Sequence, residues 1–237
     1  MSVLSNRSDI ELRLLVMSNG FPNIQFLAKV ARKTVRKVIY TYESSSLDDI
    51  LSFIIAELGG KKVESIAFVL HGDATEMYLA GVGNVVLSYQ ALKDDKLLRE
   101  FFICLSSTFM NIKSSSARLD FLNSQLKDET AVLKLSDELH KITNCPVEIC
   151  KDLNRFEEKP AAFLNIEKKI MSVMELYFYS EKLKEFLNSS LQSHMQNLSG
   201  YEKIRTVGKG AFGTAVLYRK KYDDSLVIVK EINMHDL

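Results

Sequence analysis

One stretch limits the folds open to this chain more than any other: Val207-Gly208-Lys209-Gly210-Ala211-Phe212-Gly213, followed at Leu226-Val227-Ile228-Val229 by Lys230. Glycines at G-x-G-x-x-G spacing let a backbone turn come close to phosphate groups, because no Cβ intervenes. The flanks decide which kind of turn this is. Residues 201–207 and 214–218 read as short strands, so the glycines sit in a strand–turn–strand hairpin. A dinucleotide-binding fingerprint needs a strand and then a helix, and no helical period follows Gly213. Lys230 closes an apolar third strand, where it can meet the α- and β-phosphates beneath a glycine flap.

Over residues 201–237 this pattern resembles the opening three strands of a protein kinase domain. The run 208–213, then Leu217-Tyr218-Arg219, Asp223-Asp224-Ser225-Leu226-Val227 and Lys230-Glu231, is similar to the NIMA-related serine/threonine kinases, especially members with propeller repeats after the kinase. The resemblance implies ATP, with Mg²⁺, as cofactor and a protein as substrate. It implies that Gly208, Lys209, Gly210, Ala211, Phe212 and Gly213 fold over the phosphates, that Lys230 pairs with them, and that Val207, Ala215 and Ile228 line the adenine pocket. Ala215 stands where a valine is usual and Ile228 where an alanine is usual, and both departures suit that subgroup. Phosphoryl transfer further requires a helix glutamate, an H-R-D base, an asparagine and a D-F-G aspartate. None follows the glycine loop in these 237 residues. The chain as given is therefore expected to be inactive. Two functions stand side by side: the N-terminal portion of a NIMA-like kinase, or a non-enzymatic regulatory or binding protein.

The apolar and charged fractions, 46% and 26%, are those of a globular protein. A net charge of +1 gives no electrostatic footprint for nucleic acid or a membrane surface. The three cysteines, Cys104, Cys145 and Cys150, lack CxxC spacing. They fit core packing in a reduced, cytoplasmic compartment rather than a disulfide framework or a zinc site. His140, His194 and His235 have no partner at metal-ligand spacing, so no metal is expected.

Residues 1–180 alternate between strand and helix patterns. Strands are expected at 12–17, 37–42, 65–70, 118–122 and 147–149. Helices are expected at 21–31, from a cap at Ser46 with Asp49 to Gly59-Gly60, at 89–105 and at 130–142. A small hairpin, 77–79 with 85–87, turns at Gly81-Val82-Gly83-Asn84, and the serine-rich 106–116 reads as a loop. The rhythm predicts a three-layer α/β domain with a mainly parallel sheet. An amphipathic linker helix at 181–200 would join this domain (1–180) to the kinase hairpin and third strand (201–237).

Function in such sheets lies at the carboxyl ends of strands. His71, after Ser65-Ile66-Ala67-Phe68-Val69-Leu70, and Ser124, after Leu119-Asp120-Phe121-Leu122-Asn123, stand there. Over residues 11–178 this layout resembles a caspase-like domain of unknown function found in bacterial surface proteins. Met174-Glu175-Leu176-Tyr177 is similar to its closing strand. The resemblance implies a histidine–cysteine pair, but Ser124 falls where the cysteine belongs and Asn123 where a glycine belongs. A lone histidine activates serine poorly without an orienting third group. The domain is accordingly expected to be a non-catalytic pseudo-hydrolase, with a peptidase acting through His71 and Ser124 as a third reading.

Overall fold

A computed structural model describes residues 11–21, 23–122, 125–150, 164–166, 169–185, 201–210, 213–221 and 224–231. The chain divides into two compact units, Met1–Ser180 and Glu181–Leu237.

The first unit opens with β1 (Arg13–Ser18), all of whose residues are buried. After α1 (Ile24–Val30) and β2 (Val35–Tyr40), the chain makes a short 3₁₀ turn at Tyr42–Ser44, so this strand ends before Tyr42. Next comes α2 (Leu47–Leu58). Its start is fixed by a reciprocal capping box between Ser46 and Asp49, and its end by Gly59 in the left-handed region at φ 55. The fully buried β3 (Ser65–Val69) leads into a small antiparallel sheet of β4 (His71–Gly72), β5 (Met77–Ala80) and β6 (Val85–Leu87).

The long helix expected at 89–105 is two helices, α3 (Tyr89–Asp94) and α4 (Lys96–Cys104). Asp95 breaks the pattern because its carboxylate accepts hydrogen bonds from the Leu97 and Leu98 amides, starting a new helix. A π-helical turn, Leu105–Phe109, takes up the start of the expected serine-rich loop. Then come β7 (Arg118–Leu122), α5 (Glu129–Thr143), β8 (Val147–Ile149), the pair β9 (Leu164–Ile166) and β10 (Lys169–Met171), and α6 (Val173–Tyr177). Met174-Glu175-Leu176-Tyr177, expected as a strand, is helical, because Ser172 and Glu175 form a second capping box.

Five strands form one sheet in the order β2-β1-β3-β7-β8, with every neighbouring pair parallel. On one face Leu14, Val16, Val38, Ile66, Phe68, Leu119 and Phe121 share a core with Ile50, Ile54, Leu98, Phe102, Leu135 and Leu139 from α2, α4 and α5. The rings of Phe68 and Phe121 stack with centroids 5.5 Å apart. The other face carries Leu15, Met17, Ala67, Val69 and Leu122, also buried. There, Arg13 and Ser65 share a row with Arg118, and Asp120 lies beside Glu148.

In the second unit, helix is described only to residue 185 of the expected 181–200 span. Three antiparallel strands follow: β11 (Tyr201–Gly210), β12 (Gly213–Lys220) and β13 (Leu226–Glu231). The strands that the glycine spacing predicted are present, in the order β11-β12-β13.

Candidate functional site

The glycine-rich stretch closes the β11–β12 hairpin, with Gly210 paired to Gly213. A register shift between Thr206 and Gly208 leaves Val207 as an extra residue, the signature of a bulge that sharpens local twist. Beyond it, Gly208 pairs with Ala215, and Ala215 pairs in turn with Lys230. Directly paired residues project to the same face of a sheet. One row across three strands therefore carries a glycine, a small apolar residue and the lysine. The next row on that face holds Leu217 and Ile228.

The two faces differ. Val216 and Tyr218, on the opposite side, are buried, whereas Ile228 is 63% and Val207 47% exposed. A Cβ at Gly208 would meet nothing within 4 Å, so space around the chain does not demand glycine there. Ala211 and Phe212 lie outside the described residues, as does Ser124. Lys209, Gly210, Gly213 and Lys230 are placed by their strand pairing alone.

In the first unit, His71 occupies the carboxyl end of the β3 segment and begins β4, paired with Tyr78. Its Nδ1 lies 3.4 Å from Ser18 Oγ at the end of β1. Tyr42 and Tyr78 set their rings edge-on to the imidazole, at centroid distances of 4.6 Å and 5.2 Å. The backbone leaves room for this packing through two glycines. A Cβ at Gly20 would lie 2.2 Å from His71 Cε1, and one at Gly72 would lie 2.4 Å from the Glu76 carbonyl oxygen. The glycine of the His-Gly dipeptide is thus explained by a tight hairpin. Burial lowers the His71 pKa below the ordinary histidine value, with Glu43 opposing weakly, so the ring is neutral at pH 7. Beside it, a hydrogen bond from Tyr78 Oη and the turn amides hold the Asp73 carboxyl down to about 2, while Asp73 pushes Tyr78 up to about 12.

A second polar cluster escaped sequence reading. Arg118 forks onto Asp120 with its Nε and Nη2, at 2.6 to 2.9 Å, and Tyr177 Oη donates to Asp120 Oδ2 at 2.6 Å. Arg13 Nη1 donates to Ser65 Oγ at 2.8 Å, and Ser65 in turn bonds Tyr177. Burial alone would lower the Arg118 pKa, but the neighbouring Asp120 carboxylate raises it, so the guanidinium stays charged. With Asp120 and Tyr177 wholly buried, this network is a structural tie.

Cys145 and Cys150 behave as packing groups, whereas Cys104 is half-buried and its thiol lies 3.7 Å from the Thr108 hydroxyl. Burial raises the thiol pKa of Cys145 and Cys150. His140 Nδ1 meets the Cys145 carbonyl at 2.7 Å. Among the described residues no cluster of three or more His, Cys, Asp or Glu could hold a metal ion. Among them, too, no helix is long and apolar enough to cross a membrane.

Comparison with known proteins finds short, local similarity to NIMA-related kinases. The chain is 49% identical over 37 residues to a Dictyostelium discoideum protein described as "Probable serine/threonine-protein kinase nek3", covering 16% of this chain and 3% of that kinase. It is 56% identical over 34 residues to the Mus musculus "Serine/threonine-protein kinase Nek9", covering 14% of this chain and 4% of that one. No protein-family profile matches the chain, and no solved structure matches it.

Proposed function

We propose that residues 201–231 are the nucleotide flap of a NIMA-like serine/threonine kinase domain and bind the phosphates of ATP. The row Gly208–Ala215–Lys230 is the observation that carries this reading. It sets a lysine one strand away from a position beside the glycine turn, on the face where Ile228 is exposed. Gly208, Gly210 and Gly213 fold over the phosphates, Lys230 pairs with them, and Val207, Ala215 and Ile228 cover the adenine. Mg²⁺ accompanies the nucleotide in such sites, and the acceptor is a protein hydroxyl. Local identity to the two kinases supports the same assignment. Equilibrium binding of a fluorescent ATP analogue to the full chain tests it. Lys230→Met should weaken binding about tenfold, the worth of a hydrogen bond to a charged group. Equal binding by both proteins would sink the proposal.

For the first unit we infer a binding role rather than hydrolysis. Among the described residues the hydrogen-bonding neighbour of His71 is Ser18, which is wholly buried and closed to a substrate. A serine-directed probe should leave Ser124 unlabelled; labelling lost on His71→Ala would restore the peptidase reading.

A further inference from the structure

The strand β2 ends the five-stranded sheet, with β1 as its sole strand partner among the described residues. The Asn19 amide donates to the Tyr40 carbonyl at 2.9 Å, so Tyr40 turns its peptide groups towards β1. Alternate residues of a strand bond to opposite sides. Arg36 and Val38 therefore face β1 with Tyr40, while Lys37 and Ile39 point their N–H and C=O groups outward. Among the described residues nothing bonds these outward groups, which form the open template of a sheet edge.

Positive charge is concentrated on the same edge. Residues 29–37 carry five basic side chains and no acidic one, in a chain whose net charge is +1. Lys29, Lys33, Arg36 and Lys37 are exposed. Arg36 meets Glu57 of α2 at 3.6 Å, and Lys29, Lys33 and Lys37 have no ion-pair partner among the described residues. Arg36 pairs in register with Leu14 and Lys37 with Leu15, so the two cations flank the edge on opposite faces of the sheet. Phe53, exposed one helical turn before Glu57, adds an apolar side chain on the Arg36 face. Like charges oppose the pairing of β2 with β2 of a second copy, whereas an acidic strand meets opposite charge on both faces.

We propose that the outer edge of β2 binds an acidic peptide segment as an added strand. Its backbone pairs with Lys37 and Ile39, and adjacent Asp or Glu side chains meet Lys37 on one face and Arg36 on the other. The edge gives the binding role inferred for the first unit a place and a partner. It stands on strand geometry and charge, so peptide binding and serine labelling fail separately.

Fluorescence anisotropy of the full chain with the fluorescein-labelled peptide Val-Glu-Asp-Val-Glu-Val tests the proposal. The peptide should bind saturably, and its analogue with lysine at the acidic positions should not. Lys37→Glu, at an exposed position, should weaken binding about fivefold with an unchanged circular dichroism spectrum. Methylating the peptide's backbone nitrogens should weaken it about tenfold, through the lost strand hydrogen bonds. No saturable binding, equal binding of the lysine or the methylated peptide, or no change with Lys37→Glu would each overturn it. So would binding of phosphatidylserine vesicles or a single-stranded oligonucleotide in place of the peptide.

Discussion

Tyr177 Oη donates a 2.6 Å hydrogen bond to Asp120 Oδ2, joining a five-residue helix to the middle of a strand that lies far earlier in the chain. Asp120 already receives a guanidinium fork from Arg118, and the whole group is buried. Together these contacts satisfy a carboxylate that would otherwise be very costly to bury.

The two arms of that tie should differ in cost. Tyr177→Phe removes one hydrogen bond and should destabilise by about 1–3 kcal/mol. Arg118→Leu leaves Asp120 without its countercharge and should cost about 3–5 kcal/mol. Urea denaturation followed by circular dichroism measures both. A larger loss for Tyr177→Phe than for Arg118→Leu would contradict the Arg118 fork as the main support of Asp120.

Gly20→Ala should act through His71. The new methyl would lie 2.2 Å from Cε1, so the imidazole must leave its place between Ser18 and the tyrosines. Overpacking of this kind costs about 1–3 kcal/mol. His71→Ala in the same chain should recover most of that loss, because it removes the clashing atoms. Additive losses in the double mutant would place the strain elsewhere.

The neutral His71 gives a pH dependence with a definite sign. Its folded pKa lies below the ordinary 6.5, so the unfolded chain takes up the proton first as pH falls. The stability it contributes is complete above 6.5 and is lost as pH drops towards and through the folded value. Urea midpoints at pH 7.5 and pH 5.0 should therefore fall less for His71→Gln than for the parent chain. An equal or larger fall in His71→Gln would contradict the lowered pKa.

Much of this fold could be read along the chain where local chemistry sets an element's end. Ser46 with Asp49 and Gly59 fix α2, and the apolar Ser65–Val69 marks a strand buried on both faces. The readings that failed missed the same kind of signal. Asp95 sits inside an apolar periodic run, yet it caps α4 through Leu97 and Leu98. Ser172 and Glu175 make a capping box ahead of residues read as a strand. The contacts of Arg118 and Asp120 could not be read so, because Tyr177 meets them only after the chain has folded back. At the candidate site, the glycine spacing and Lys230 revealed the hairpin and the third strand. The pairing of Lys230 with Ala215 depends on register, which spacing alone does not set. Ser18, whose hydroxyl lies beside His71, follows the apolar run 14–17, and nothing in the spacing marks it as the histidine's neighbour.

The proposed contact of Lys230 with bound phosphates can be tested directly with an acyl-phosphate derivative of ATP. Such a reagent transfers its acyl group to a lysine amine beside the phosphates, and mass spectrometry then identifies the modified residue in the full chain. Labelling should concentrate on Lys230, and excess ATP should suppress it. Labelling spread evenly over Lys203, Lys209, Lys220, Lys221 and Lys230, undiminished by ATP, would contradict the nucleotide flap.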